Sequence, residues 1–489
     1  MNEVGITAYG GYIPRLRMSR KSIVQANIWV DPSLMAHAKS ERSMCDYDED
    51  TITMAVEAGR DCLKEADRQD IDAVFFASTT MPFDDRQNST VVAEALGIKE
   101  NIETLDVSHS QRAATSGMIT AMKALAGGEG KASLFVASEQ RETKCGTPKE
   151  LLYGDGAAAV TLGKGDGLIA RYLGAYSVSR DMVDHFRSKG ERFDYEWEER
   201  WIREEGYFKI VPSAIKGLLE KTGVAPGEID HFVLPCVIKR VRETIAKKMG
   251  MPAEAIRDNL MNGCGETGSA HAVVMLVDAL QDAKPGEKIL VVGFGQGADA
   301  LLFETTEAVS KQTRAKGIKG GMKNGIVEDN YQKFLSFRNL VPIEWGMRAE
   351  AGARKTRMTT LYRNRKMLNS LYGGKCSECG TIQFPKAHIC VNPECRAVDS
   401  MDDYSLAESK SKIASYTVDW LAYTPNPPLL FGMIEFEEGA KFMMQFTGCK
   451  PEEVEVGVPM EMVFRIKTDD DQLKFKNYFW KATPVVDNA

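Results

Sequence analysis

Three features are missing from this chain, and each absence removes a class of function. No apolar run approaches the roughly 20 residues needed to cross a bilayer as a helix, which argues against a helical membrane protein. The first residues, MNEVGITAYGGYIPRLRMSR, lack the charged start, long apolar core and small-residue cleavage site of a secretory leader. A cytoplasmic location is therefore the expectation. An excess of positive charge is also absent: 62 Lys and Arg against 69 Asp and Glu leave a net charge of -7. Bulk charge thus gives no reason to expect a nucleic-acid partner.

What is present is a long, soluble-type composition. The 489 residues are 43% hydrophobic and 27% charged, too long for one ordinary core, so about three folding units are expected. Up to residue 305, β-rich runs alternate with helical stretches. Candidate strands are Ala73–Ser78, Glu103–Val107, Ser133–Ala137, Ala157–Leu162, Phe232–Pro235, Ile289–Gly293 and Ala300–Glu304. Runs such as AVFFAS and ILVVG are apolar on both faces, as in strands covered from both sides in layered α/β folds. Between them lie TITMAVEAGRDCLKEA, AATSGMITAMKALAGG and SAHAVVMLVDALQDA, with helical patterns.

The region is internally duplicated. LKEADRQDIDAVFFAST resembles LLEKTGVAPGEIDHFVLPCV, with Ile71-Asp72 and Ile229-Asp230 offset by 158 residues. AMKALAGGEGKASLFVASEQ resembles LVDALQDAKPGEKILVVGFGQ, with Gln140 and Gln296 offset by 156. A duplicated α/β unit packs as two pseudo-symmetric halves with a site at their junction. The halves are expected at 1–165 and 166–305. Residues 306–372 are basic and helix-prone, without a strong strand, and read as a solvated connecting segment or an electropositive surface. Regularly spaced β-rich runs return over 399–489 and suggest a small barrel.

Between them, over 373–398, stand Cys376, Cys379, Cys390 and Cys395. Two close cysteine pairs at this separation can complete a tetrahedral thiolate shell, so a closed, structural zinc site is expected. Four protein ligands leave no open position for chemistry at the metal.

The segments GITAYGGYIPRLRM, DEDTITMAVEA, STVVAEALGI, YGDGAAAV, EEGYFKIVPSAIKGLLEK and GETGSAHAVVMLVDALQDAKPGEKILVVGFGQGADALLF resemble, in order, 3-hydroxy-3-methylglutaryl-CoA synthases of the archaeal type. More distantly they resemble β-ketoacyl-acyl-carrier-protein synthase III. The region from about residue 340 resembles the rubredoxin-like zinc ribbon plus OB-fold proteins that accompany thiolase-type acyl-CoA enzymes, here fused to the body. The resemblance implies a duplicated five-layer thiolase fold followed by a zinc ribbon and an OB barrel. It also implies a homodimer, a coenzyme A thioester as ligand, and association with another thiolase-type subunit as a further possibility.

The residues that carry the family's chemistry are replaced. The place of the nucleophilic cysteine, at the start of a buried helix, falls on Gln111 in LDVSHSQRAATSG; a slip of one residue would put Ser110 there. The synthase's general-base glutamate aligns with Thr79. The histidine after the central strand of the second half is missing, and Pro235 or Cys236 stands instead. The asparagine of a Gly-Asn-Thr motif becomes Glu266, in Gly265-Glu266-Thr267. By the repeat, positions 110 and 111 pair with 266 and 267, which places Gln111 and Glu266 at two helix N-termini facing one cleft. Glu266 is a candidate general base, with a cap or salt-bridge role as the plain alternative. His109 is a candidate acid/base or a satisfied core histidine. Cys145, Cys236 and Cys264 are displaced thiols or small buried hydrophobes. Lys209, within Tyr207-Phe208-Lys209, and Lys239 and Arg240 are candidate contacts for the CoA phosphates. The GFGQG run lacks full dinucleotide-loop spacing, so Gly295 is expected in a glycine-rich turn lining the cleft.

Three functions fit these replacements. The first is an enzyme that makes or breaks a carbon–carbon bond of a CoA thioester without an acyl-cysteine, by an aldol or retro-aldol step. The second is a decarboxylase of a malonyl-type thioester. The third is a catalytically silent acyl-CoA-binding scaffold or partner of an active thiolase.

Overall fold

The computed structural model describes residues 3–64, 68–128, 130–312, 315–344, 356–470 and 472–486. The chain divides into two compact units. One comprises Met1–Cys45, Asp50–Thr90 and Lys99–Phe334, the other Asp46–Glu49, Val91–Ile98 and Leu335–Ala489.

The first unit is built on nine strands: β1 (Val4–Tyr12), β2 (Ile71–Ala77), β3 (Glu103–Val107), β4 (Ala132–Gln140), β5 (Asp155–Lys164), β6 (Ala170–Ser179), β7 (His231–Val233), β8 (Lys288–Phe294) and β9 (Gly297–Thr305). Their order across the sheet is β7-β8-β9-β6-β1-β5-β4-β2-β3. Either side of the β6–β1 junction the pairing repeats. β1 is antiparallel to β5, β5 to β4, and β4 is parallel to β2. Likewise β6 is antiparallel to β9, β9 to β8, and β8 is parallel to β7. The internal repeat of the sequence is thus a repeat of strand pairing.

Helices α1 (Thr51–Leu63), α2 (Ala113–Gly127), α3 (Val211–Thr222) and α4 (His271–Leu280) complete the layers. α1 packs on β1, β4 and β5, and α3 on β6, β8 and β9; α2 and α4 lie against each other and touch strands of both halves. All ten residues of α4 are buried, which is why HAVVMLVDAL is almost wholly apolar rather than amphipathic. This is the five-layer thiolase arrangement. The seven candidate strands are present, with the stretch read as Phe232–Pro235 ending at Val233. β1 and β6 were not among them.

The stretch read as a connecting segment without a strong strand differs in its first part. Residues up to Phe334 belong to the first unit. There Ile326–Glu328 pairs in parallel with Leu16–Ser19. Helix Gly317–Lys323 buries Ile318 completely. The backbone N–H groups of Lys316 and Gly317 each donate to the Asp61 carboxylate at 2.8 Å. A few apolar side chains spaced among lysines are enough to dock this stretch, although its average composition is basic. The basic run over 345–355 lies outside the described residues.

In the second unit, Tyr372–Cys376, Ile382–Gln383 and Met401–Ser405 form a small antiparallel sheet that carries the cysteine turns. Beyond it, β10 (Ser411–Asp419), β11 (Leu429–Phe436), β12 (Lys441–Gln445), β13 (Pro459–Asp470) and β14 (Phe475–Pro484) pair in the order β12-β11-β10-β13-β14. A bridge between Phe446 and Ala482 joins the two ends. The result is a closed five-stranded barrel of the OB type.

Candidate functional site

A cavity of about 130 Å³ opens in the first unit, with Gln111, Arg141, Asp184, His185, Cys236 and Glu266 among the residues that line it. Gln111 stands in the turn before α2, and Glu266 two residues before the short helix Gly268–Ala270 that leads into α4. The structure therefore brings both residues to one cavity at the starts of the two central helices.

The turn holding Gln111 is clamped by the hairpin between β8 and β9. Ser110 Oγ and Arg112 Nε each donate to the Gly295 carbonyl at 3.0 Å. Arg112 also reaches Asp299 at 2.8 Å. A Cβ added at Gly295 would lie 3.0 Å from Ser110 Oγ and 3.1 Å from the backbone nitrogens of Gln111 and Arg112. Glycine is required there for close approach. Gly295 thus supports the cavity from behind, while Gly293 and Phe294 line it. Ser110 is engaged in this clamp.

The Gln111 side chain approaches His185, with Nε2 to Nε2 at 3.2 Å, and His185 Nδ1 lies 3.0 Å from Asp184 Oδ2. A carboxylate can only accept, so Nδ1 carries the proton and Nε2 of the neutral ring accepts from the Gln111 amide. The Gln111 carbonyl oxygen is buried with no protein partner.

Glu266 Oε2 pairs with Arg141 at 3.2 Å, and Arg141 pairs with Asp194 at 2.7 Å. The guanidinium lies over the Tyr153 ring, 3.9 Å from its centroid. Burial alone would lower the Arg141 pKa, but Tyr153, Glu266 and Asp194 outweigh it and hold the cation above its ordinary value. The turn carrying Glu266 is fixed by His271. Its Nδ1 accepts from the Thr267 backbone N–H at 3.1 Å, and its Nε2 donates to the Asn259 carbonyl at 2.9 Å. Complete burial lowers the His271 pKa, which keeps this ring neutral.

Thr79 is not among the residues that line the cavity. Its backbone N–H and hydroxyl donate to the buried Glu139 carboxylate at 3.0 and 3.1 Å. Thr80 and Ser269 donate to the same carboxylate. Glu139 is a fastener between the loop after β2 and the start of α4. Cys236 reaches the cavity, but burial pushes its thiol up to about 11, so it stays protonated near neutral pH and lacks the thiolate a nucleophile needs. Cys264 is likewise pushed up by burial, to about 11, and Cys145 is exposed.

His109 is exposed and does not line the cavity. Its positive φ of 71° marks a tight corner before the Gln111 turn. Lys209 is exposed and paired with Glu205 at 2.6 Å. Lys239 and Arg240 are exposed just beyond the cavity-lining Ile238. His185, Asp184 and Arg141 escaped the sequence reading. His185 sits in a two-residue pairing, His185–Phe186 with Tyr195–Glu196, too short for any periodicity to reveal.

In the second unit the four cysteine sulfurs lie within 4.8 Å of one another. Cys376 and Cys395 are 3.9 Å apart, Cys379 and Cys390 3.6 Å. Tetrahedral zinc at about 2.3 Å from each thiolate requires sulfurs about 3.8 Å apart. The donor set and its spacing fit that ion. Gly380, at φ 75°, completes the first turn, donating to the Cys376 carbonyl at 2.9 Å.

A nine-stranded sheet whose pairing repeats on either side of one junction, paired central helices and a cavity at their starts define a thiolase-superfamily fold. Residues 219–303 match the family described as 3-oxoacyl-(acyl-carrier-protein) synthase III C terminal. Residues 363–400 match the ChsH2 rubredoxin-like zinc ribbon domain, and 407–465 the ChsH2 C-terminal OB-fold domain. The chain is 33% identical over 315 residues to the hydroxymethylglutaryl-CoA synthase of Aeropyrum pernix, covering 63% of this chain and 87% of that protein. Its identity to the Pyrococcus horikoshii enzyme of the same name is 30% over 318 residues, 64% of this chain and 89% of that one. Similar solved structures include HMG-CoA synthase complexed with CoA (TM-score 0.58, 18% identity, 68% of this chain and 89% of that one). Another is MvaS in complex with 3-hydroxy-3-methylglutaryl coenzyme A (TM-score 0.60, 19% identity, 70% and 93%). The chain belongs to the hydroxymethylglutaryl-CoA synthase family and carries ChsH2-type zinc ribbon and OB domains at its C-terminal end.

Proposed function

We propose that this protein makes or breaks the carbon–carbon bond next to the carbonyl of a CoA thioester, by an aldol or retro-aldol step without an acyl-cysteine. The observation that carries this reading is Gln111. It occupies the turn before the buried helix α2, and the cysteine that does line the cavity, Cys236, is held protonated. A covalent acyl-enzyme would have to use a thiol that burial disfavours as the thiolate, whereas a non-covalent enolate mechanism needs only a proton carrier and donors for the enolate oxygen.

Glu266 carries the proton to and from the carbon adjacent to the thioester. The Gln111 side-chain amide holds the developing oxyanion, helped by the positive end of α2. The similar structures solved with CoA and with a CoA thioester support this substrate class. Cys376, Cys379, Cys390 and Cys395 would hold zinc, which braces the ribbon when bound and takes no part in the reaction.

The test is incubation of the full chain with a series of 3-hydroxyacyl-CoA thioesters, with both the carbonyl fragment and the shortened acyl-CoA quantified. Turnover is expected with no acyl adduct in the intact mass; an adduct on the protein would overturn the reading. Glu266→Gln is expected to abolish turnover while leaving CoA binding in place. Unchanged turnover would remove Glu266 from the mechanism, and inactivity of the wild type with every thioester would favour a silent scaffold.

A further inference from the structure

A histidine that the sequence comparison did not single out faces Gln111. His185 and Asp184 both line the cavity, largely buried at 16% and 14% exposure. Asp184 Oδ2 holds Nδ1 at 3.0 Å, and Nε2 points at the Gln111 amide at 3.2 Å. The pair is built into the fold. Met182 is buried in the second-half core, the Trp197 N–H donates to the Asp184 carbonyl at 2.9 Å, and Arg187 ties the far end of the hairpin to Asp194 at 3.2 Å. A carboxylate behind a histidine whose other nitrogen faces a reaction cavity is the orienter–base arrangement of acid/base catalysis.

We infer that His185, oriented by Asp184, is a second catalytic group, which exchanges the proton of the 3-hydroxyl of the substrate. This deepens the proposed aldol function and rests on it. In the bond-forming direction Glu266 takes a proton from the carbon next to the thioester. The electron pair left on that carbon forms the new bond to the carbonyl carbon of the acceptor. The carbonyl π pair moves to oxygen, which takes the proton of the His185 imidazolium at Nε2, while Asp184 balances the charge. Glu266 then loses a proton to solvent and His185 gains one, so no net proton is consumed. In the cleavage direction the neutral ring starts the reaction. Nε2, which accepts from Gln111 when no substrate is bound, takes the hydroxyl proton as the bond breaks.

The full-length variants His185→Asn and Asp184→Asn separate this role from mere support of Gln111. Asparagine at 185 can still hydrogen-bond to the Gln111 amide but cannot carry the proton. With a thioester that the wild type turns over, kcat of His185→Asn should fall by roughly 10²–10⁴-fold, with KM little changed. Asp184→Asn should lower kcat by a smaller factor. Free imidazole should restore turnover to His185→Gly, a rescue that a structural role would not give and that also reports a folded protein. Wild-type turnover together with full activity in His185→Asn, or no imidazole rescue of a His185→Gly protein that still binds the thioester, would overturn the inference alone. A wild type inactive on every 3-hydroxyacyl-CoA would overturn the proposed reaction, and the inference with it.

Discussion

A glutamine in the turn before a buried helix brings an uncharged amide to the positive end of that helix. The positive helix end favours an oxyanion, and the Gln111 side chain adds an amide donor beside it. How well that amide is placed depends on Gly295, since its turn is stitched to the Gly295 carbonyl twice. Gly295→Ala would set a methyl 3.1 Å from the Gln111 nitrogen, and the turn must shift to admit it. Turnover is expected to drop by about 10²-fold, the usual cost of a misplaced catalytic group, while the circular dichroism spectrum stays that of the wild type. Retained activity would show that the position of Gln111 is not critical. At this scale the sequence was half legible. Gln111 and Glu266 could be found because helix starts are registered by the repeat. The lysines at 209 and 239 could not be assigned, since exposure is not written in a residue's identity. Arg141 and His185 could not be found because their partners lie 125 and 74 residues away.

Among the elements, most of the strands legible in the sequence are apolar on both faces, and the two that were missed meet another demand. β1, VGITAYGGY, carries glycines because α1 presses against it: a Cβ at Gly10 would lie 2.2 Å from the Cys62 nitrogen. β6 mixes buried and exposed positions and lacks an apolar run. In the second unit, the end strand of the barrel, β14, contributes Lys481, whose Nζ donates to the Asp48 carboxylate at 2.8 Å; Thr447 donates to the same carboxylate at 2.8 Å. Burial would raise the Asp48 pKa, but Lys481 and Arg465 outweigh it and hold the carboxyl below its usual value. Such a group stabilises the fold above its unfolded pKa of about 4 and ceases to do so as pH falls through the lower folded value. Removing one partner of a buried pair costs about 3–5 kcal/mol. Asp48→Asn is therefore expected to lower the melting temperature clearly at pH 7, and the gap to the wild type should close under acid. A gap that stays constant from pH 7 to pH 2 would contradict the assignment.

For the whole molecule, duplication explains the body and metal-ligand spacing explains the ribbon. No helix among the described residues is long and apolar enough to cross a membrane. The ribbon has little apolar core of its own: its buried cluster is Cys376, Cys390 and Met401, with Cys395 and Ala397 packed alongside. A unit so small depends on its metal. Purified protein is expected to contain about one zinc per chain by mass spectrometry. Cys390→Ser should lose that zinc and melt the ribbon, with the thiolase-type body still binding acyl-CoA. Full zinc content in the variant would refute the four-cysteine site.

By itself, the order of residues determined the duplicated layers, the cysteine quartet and the barrel strands. Each of these follows from local pattern, from a repeat or from spacing along the chain. Only the tertiary structure decided that Cys236 lines the cavity as a buried thiol, that Thr79 serves Glu139, that Glu266 faces Arg141 and that His185 faces Gln111. Burial and pairing are properties of neighbours in space, and the neighbours that set the chemistry of this cavity come from segments far apart in the chain.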